Sequence, residues 1–134
     1  MTKIALLGDT HLGAREGKEI FHQHFQRFYD DVFFPTLVKE GITTVLQLGD
    51  LFDRRKYIDY YSLKRSKEYF FDKAKELNIQ VHALLGNHDI ALRNSLEINS
   101  PELLLKEYDN FHPITTPTEL SFPGTKVLMV PWIC

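Results

Sequence analysis

The chain has 134 residues, of which 43% are hydrophobic and 25% are charged, and this composition is that of one globular domain rather than of a disordered or fibrous protein. Its formal net charge of -2 argues against a protein that holds nucleic acid through bulk positive potential. A single cysteine excludes an internal disulfide, and no signal-peptide core or membrane-spanning run is present, so we expect a cytoplasmic protein.

The first half of the chain predicts a strand, a helix and a second strand. Residues 3–8 are apolar after the lysine, which predicts a strand covered on both faces. A helix is predicted over residues 16–39, and we expect Pro35 to kink or end it. Residues 43–48 predict a second buried strand. The apolar face of the helix is predicted to consist of Phe21, Phe25, Phe28 and Val32.

A second helix and a third strand follow. Residues 62–77 predict a helix that begins at Ser62 and that the chain leaves through Asn78 in a left-handed conformation. Residues 79–85 predict a third buried strand. Alternating strands and helices indicate a parallel sheet with right-handed crossovers.

The last third of the chain predicts smaller elements. A short helix over 100–108 begins with Pro101 in its first turn, where no amide donor is needed. Residues 119–122 and 126–130 predict two strands joined by a tight turn.

Polar side chains that suit metal binding or catalysis follow each of the three predicted strands. Parallel sheets place ligands at the carboxyl ends of their strands, so we expect these side chains to converge on one edge. Each one alone has an ordinary explanation as a helix cap, turn former or surface residue, but the three groups together indicate a site. They are Asp9 and His11 after the first strand, Asp50 and Asp53 after the second, and Asn87, His88 and Asp89 after the third.

These side chains offer ligands for a pair of divalent cations. Mixed carboxylate, amide and imidazole donors favour manganese, with magnesium or another dication as alternatives. Asp9 and His11 are two residues apart in an extended segment, so their side chains lie on the same side and can bind one ion. Asp50 is the candidate bridge between two ions, and Asn87 would serve the second ion.

Basic residues near these motifs are candidates for phosphate contacts. Arg54, Arg55 and Lys56 form a run that could bind phosphates or could equally form a solvated loop. Arg15 and Arg93 are further candidates.

Four histidines outside the motifs are expected to play no part in the site. His22 and His24 are two residues apart on a helix and point in different directions, which predicts solvent exposure. His82 and His112 are expected to be structural.

The order of the three motifs resembles that of the calcineurin-like metallophosphoesterase superfamily. Segments 41–44, 49–56 and 130–134 are similar to the SbcD and meiotic recombination eleven nuclease family, in the form found in T-even-type phages. The motifs are Asp9-x-His11, Gly49-Asp50-x-x-Asp53 and Gly86-Asn87-His88-Asp89.

The resemblance implies an α/β fold, namely the amino-terminal half of a four-layer αββα sandwich with a mostly parallel first sheet and the start of the second. Residues 1–134 are therefore expected to be a partial metallophosphoesterase domain and a fragment of a longer product. The later Gly-His and Gly-His-x-His motifs, which supply further ligands in the family, do not occur in this sequence. The second metal site is therefore expected to be weak or incomplete.

The resemblance also implies roles for individual residues. Two manganese ions are expected, one bound by Asp9, His11 and Asp50 and the other by Asp50 and Asn87. His88 is expected to protonate the leaving oxygen as a general acid, with Asp89 orienting it and Asp53 supporting the ligands from outside.

The activity implied is that of a manganese-dependent DNA exonuclease or endonuclease subunit of a recombination and double-strand-break repair complex, in the host cytoplasm if phage-encoded. The partners implied are DNA, a coiled-coil ABC-type ATPase like SbcC, and a second copy through helices 62–77 and 100–108, with no membrane.

Two alternatives differ in class. Protein phosphatases of the superfamily also place an arginine where Arg54 stands, but they have glycine at the position of Arg55 and glutamate at that of Asp89. The third hypothesis is a non-catalytic truncated module.

Overall fold

The computed structural model describes residues 3–8, 10, 19–49, 64–84, 90–92, 95–99 and 108–131. The strands within these residues are β1 (Ala5–Leu7), β2 (Thr44–Gln47), β3 (Gln80–Leu84), β4 (Ile90–Leu92), β5 (Ser95–Asn99), β6 (Phe111–Ile114), β7 (Thr118–Phe122) and β8 (Thr125–Met129).

A four-stranded sheet in the order β1-β2-β3-β6 forms the centre of the described chain. All three pairings in this sheet are parallel. The three strands that the sequence predicts therefore lie side by side, and the expected α/β fold with a parallel first sheet is confirmed.

The helical part between β1 and β2 has three consecutive segments. They are α1 (Glu19–Phe28), a first π-helical segment (Tyr29–Phe33) and α2 (Phe34–Glu40). The helix does not end at Pro35, because this proline lies in the first turn of α2, where a missing N–H is tolerated. It ends at Gly41, whose φ of 68° is left-handed and whose N–H bonds back to α2. Residues 16–18 of the predicted helix lie outside the described residues.

The buried face of this helix differs from the predicted one. Phe28 and Val32, which are expected to be buried, are 42% and 53% exposed. Tyr29, Phe34 and Leu37 are buried instead. The displacement begins within α1, because the buried positions His22 and Tyr29 each lie one residue after the predicted positions Phe21 and Phe28. The π-helical segment holds more residues per turn than an α-helix, so it rotates only the positions that follow it, such as Phe34 and Leu37.

The second helical part also contains a π-helical segment. Residues 64–66 are helical and lead into the second π-helical segment (Lys67–Phe71) and then into α3 (Asp72–Glu76). Asn78 has a φ of 56°, which confirms the predicted left-handed exit. Residues 62 and 63 of the predicted helix lie outside the described residues.

The first core cluster lies between these helices and one face of the sheet, and its centre is aromatic. Tyr29 stacks on Tyr69, with ring centroids 5.8 Å apart and planes within 9° of parallel. Phe71 meets Phe111 of β6 edge to face at 5.7 Å. Burial raises the pKa of Tyr69 to about 12, so its hydroxyl stays neutral at physiological pH. Aromatic packing thus fastens both helical parts to the sheet.

The second core cluster lies on the opposite face, where the antiparallel hairpin β7–β8 packs against the sheet. Leu46 and Ile114 of the sheet are buried together with Met129 of the hairpin. This arrangement confirms the expected start of a second sheet. The first strand is expected to be covered on both faces, and in the described chain this expectation is wrong. On the face of the second core cluster, Ile4 packs against the cluster, but Leu6 is 65% exposed.

Three strands do not follow from the sequence patterns. β4 and β5 form an antiparallel pair directly after the third motif. β6 contains Pro113, which argues against a strand in the interior of a sheet, but β6 lies at the end of the strand order.

The helix predicted over residues 100–108 is not confirmed. Tyr108 is not helical, and the other residues of this segment lie outside the described part of the chain. Within the described ranges, no helix is long and apolar enough to cross a membrane.

Candidate metal centre

The carboxyl ends of β1, β2 and β3 lie at one edge of the parallel sheet, because the three strands are adjacent and run in the same direction. A predicted ligand follows each of these strand ends within three residues along the chain. Asp9 follows Leu7 of β1, Asp50 follows Gln47 of β2, and Asn87 follows Leu84 of β3.

A backbone hydrogen bond joins the first two of these strand ends. The N–H of Leu48 donates to the carbonyl oxygen of Leu7 at 2.9 Å, one step beyond the paired residues of β1 and β2. Leu48 stands two residues before Asp50, and Leu7 stands two residues before Asp9. The chain therefore enters the first and second motifs from neighbouring points on the sheet edge.

The predicted site residues themselves lie outside the described residues, so their side-chain arrangement stays a prediction. The described part of the chain brings together the backbone segments that lead into them. Within that part, no group of three or more histidine, cysteine, aspartate or glutamate side chains forms an alternative metal site. The predicted site residues that lie outside the described part of the chain are Asp9, His11, Arg15, Asp50, Asp53, Arg54, Arg55, Lys56, Asn87, His88, Asp89 and Arg93.

Gln47 is a polar residue at this edge whose importance the sequence patterns do not indicate. Its side chain is fully buried and bonds twice to Gly49. The side-chain Nε2 donates to the Gly49 carbonyl at 2.6 Å, and the Gly49 N–H donates to Oε1 at 2.9 Å. Gly49 has a φ of 105°, a backbone conformation that favours glycine. An amide side chain inside an otherwise apolar buried strand is the signal that could have identified it, since buried polar groups need partners.

Arg65 connects the start of the second helical part to α1. Its side chain, 13% exposed, forms an ion pair with Glu19 at 3.2 Å and one with Glu68 at 2.9 Å. It also donates to the side-chain oxygen of Gln26 at 2.6 Å. These bonds fix the helix that follows residues 50–63, the segment that carries the second motif and the basic run.

The histidines of α1 differ from each other in burial. His24 is exposed, as predicted. His22 is 1% exposed, so its predicted exposure is wrong. Its Nδ1 lies 3.1 Å from the hydroxyl of Tyr69, and this partner explains how a polar ring is accommodated in the core.

His82 and His112 form a stacked pair across β3 and β6. Their ring centroids are 4.8 Å apart, with planes 24° from parallel. Nε2 of His112 lies 2.8 Å from the side-chain oxygen of Gln80. Burial, and secondarily the proximity of His112, lowers the pKa of His82. The pair thus has a structural explanation in cross-strand packing.

Comparisons of the sequence with known proteins identify its family. The chain matches the calcineurin-like phosphoesterase family over residues 2–129. It is 32% identical over 133 residues to exonuclease subunit 1 of Enterobacteria phage T4. That alignment covers 98% of this chain and 38% of the phage protein, so the chain spans well under half of its relative's length. Because the family match extends over nearly all of the sequence, this chain belongs to the calcineurin-like phosphoesterase family.

Proposed function

We propose that this chain contributes part of a metal-dependent nuclease centre that hydrolyses DNA phosphodiesters. The observation that carries the proposal is the hydrogen bond from Leu48 to Leu7, which places the chain segments before Asp50 and Asp9 side by side. The relative named as an exonuclease subunit favours a nuclease over other phosphoesterases.

Two divalent cations, manganese in preference, fit the donor set of the proposed centre. Asp9, His11 and Asp50 would hold one ion, and Asp50 and Asn87 would hold the other. The fit rests on strand ends that meet at one edge and on a donor set without thiolates. Such a pair of cations, when bound, polarises a phosphate oxygen and lowers the pKa of water.

The remaining residues of the motifs act on the substrate and on the ligands. His88 would donate a proton to the leaving oxygen of the DNA strand, which makes it the general acid. Asp89 would orient the imidazole of His88 through a hydrogen bond, and Asp53 would hold the ligands from outside the metal site.

Contacts with the DNA backbone would come from local basic residues, because a net charge of -2 provides no general attraction for DNA. Phosphate oxygens accept hydrogen bonds from guanidinium and ammonium groups, which position the strand without reading its sequence. The proposed contacts are Arg15, Arg54, Arg55, Lys56 and Arg93.

The proposed setting is a multisubunit complex for DNA recombination and double-strand-break repair. The relative's description as a subunit favours such a complex. Its further members would be a coiled-coil ABC-type ATPase like SbcC and a second copy of the chain bound through residues 62–77 and 100–108, the two segments that the sequence predicts to be helical. In the described part of the first of these helices, the exposed positions are mostly charged, so ion pairs would form much of that interface.

The test is a cleavage assay with Mn²⁺ on single-stranded DNA, on duplex ends and on an aryl phosphate. Because this chain supplies only part of the centre, we expect DNA cleavage when it is joined to a segment that carries the Gly-His and Gly-His-x-His motifs. EDTA should abolish this cleavage, and His88→Ala should lower it by about 10²- to 10⁴-fold, the usual contribution of a positioned acid. His24→Ala, which removes an exposed histidine from α1, is the matched control and should leave cleavage unchanged.

Each alternative predicts a different result in the same assay. Hydrolysis of the aryl phosphate alone would contradict the nuclease proposal and favour the phosphomonoesterase that Arg54 suggests. Failure to bind Mn²⁺, with no hydrolysis of any substrate, would favour the non-catalytic module.

A further inference from the structure

The side-chain amide of Gln47 forms a closed pair of hydrogen bonds with a single residue two positions later. It donates to the carbonyl of Gly49 at 2.6 Å and accepts from the N–H of Gly49 at 2.9 Å. Both backbone groups of Gly49 are therefore bonded to one side chain, just after β2 ends.

Only a group that donates and accepts at once can form this pair. Gln47 is 0% exposed, and Gly49 is buried as well. An apolar residue of similar size at position 47 would fill the space but would leave the N–H and C=O of Gly49 without these partners. The neighbouring strand residues Val45 and Leu46 are apolar and buried, so the amide at position 47 departs from the composition of its own strand.

The hydrogen bonds act on the peptide unit that leads into the second motif. The carbonyl of Gly49 belongs to the planar peptide unit that joins Gly49 to Asp50. Holding that oxygen restrains the plane of this unit and hence the direction in which the chain continues. The preceding residue is restrained too, because Leu48 bonds to Leu7 of β1.

We infer that Gln47 is a positioning residue for Asp50, and this inference rests on the proposed function, in which Asp50 bridges two cations. A bridging carboxylate must satisfy two ions at once, so small errors in its backbone position weaken both. Groups that orient metal ligands from outside the site change metal affinity by about 10- to 100-fold when they are lost.

The experiment measures Mn²⁺ affinity, by electron paramagnetic resonance and calorimetry, in the unmodified chain and in Gln47→Met. Methionine keeps the unbranched shape and removes both hydrogen bonds. We expect Gln47→Met to bind Mn²⁺ about 10- to 100-fold more weakly than the unmodified chain.

Asn110→Leu is the matched control. Asn110 is also a buried amide, and it donates to the carbonyl of Ile79 at 2.9 Å. Ile79 precedes β3, so this bond lies at the amino end of the strands, opposite the proposed site. Asn110→Leu should lower the thermal unfolding temperature as Gln47→Met does, but it should leave Mn²⁺ affinity unchanged.

The outcomes separate this inference from the proposed function. Equal Mn²⁺ affinity in Gln47→Met and the unmodified chain, or equal weakening in Gln47→Met and Asn110→Leu, would overturn the role of Gln47 and leave the proposed function standing. An unmodified chain that binds no Mn²⁺ would overturn the proposed function, and the inference would fall with it.

A second variant covers the case in which Gln47→Met does not fold. Gln47→Asn keeps an amide but is one methylene too short to reach both backbone groups of Gly49. It should also weaken Mn²⁺ binding. Unaltered affinity in this folded variant would overturn the inference.

Discussion

The stacked pair of His82 and His112 gives the stability of this protein a dependence on pH. Burial is the main reason that the pKa of His82 lies below its ordinary value of 6.5, and the neighbouring His112 adds to the shift. Protonation is then easier in the unfolded chain than in the folded one. The contribution of His82 is complete above about pH 6.5 and is lost as the pH falls from there towards the lowered pKa.

We therefore expect the free energy of unfolding, measured with urea from pH 8 to pH 5, to fall less below pH 6.5 in His82→Gln than in the unmodified chain. The effect should be modest, because the ring is only half-buried. His24→Gln, at an exposed position, should reproduce the curve of the unmodified chain. Identical curves for His82→Gln and the unmodified chain would contradict this account.

At the residue scale, the sequence predicts which side chains are polar and chemically suited to a site, but not which ones find partners. His22 is predicted to be exposed because it and His24 point in different directions on the helix and so do not form a metal site together. Its partner Tyr69 lies 47 residues away along the chain. Gln47 shows the opposite case, since its partner Gly49 is local and its strand is predicted to be buried. The missing step was the inference that a buried amide needs hydrogen-bond partners.

At the element scale, the five strands that the sequence predicts, β1, β2, β3, β7 and β8, are located to within a few residues because turn residues bound short apolar runs. The helices before β2 and before β3 are predicted as elements, but the buried face of the first one is not. His22 and Tyr29 are buried one residue after the predicted positions Phe21 and Phe28, and the first π-helical segment (Tyr29–Phe33) then rotates the residues that follow it. β6 is not predicted because it contains Pro113, which fits only a strand at the edge of a sheet. That β6 is an edge strand depends on the tertiary structure, which the sequence pattern does not give.

Aromatic residues of the helices should differ strongly in their effect on stability. Phe70 is 1% exposed at the centre of the first core cluster, so Phe70→Ala should lower the free energy of unfolding by about 3–5 kcal/mol. Phe28→Ala removes the same side chain from a position that is 42% exposed, and it should cost less than about 1 kcal/mol. Urea denaturation followed by circular dichroism measures both values. Similar losses for the two variants would mean that the buried face is assigned wrongly.

At the scale of the whole molecule, the parallel pairing of the sheet follows from the sequence, whereas the strand order, which includes the unpredicted β6, does not. The alternation of strands and helices restricts the sheet to parallel pairing, and three polar groups after three strands indicate one edge. The packing of the hairpin β7–β8 over Leu46 and Ile114 does not follow from the sequence, because alternation along a strand gives two faces but not the surface that each face meets.

Two adjacent residues of β8 test this layered arrangement. Met129 is 3% exposed in the second core cluster, so Met129→Ala should destabilise the chain by about 2–5 kcal/mol. Leu128 points away from the sheet and is 65% exposed, so Leu128→Ala should change stability by no more than about 0.5 kcal/mol. Thermal and urea unfolding measure the difference. A larger loss in Leu128→Ala than in Met129→Ala would reverse the assignment of faces.

The hydrogen bond between Leu48 and Leu7 also bears on how the proposed site would open and close. β1 has three residues, and within the described chain it pairs only with β2. The bond exists only while β1 stays on the sheet, so an excursion of this short strand would separate the segments before Asp9 and Asp50. A cation held by both segments would bind the closed form alone and, by mass action, would favour it. The form with β1 on the sheet would then become more populated as the cation concentration rises, and departures of β1 from the sheet would become rarer.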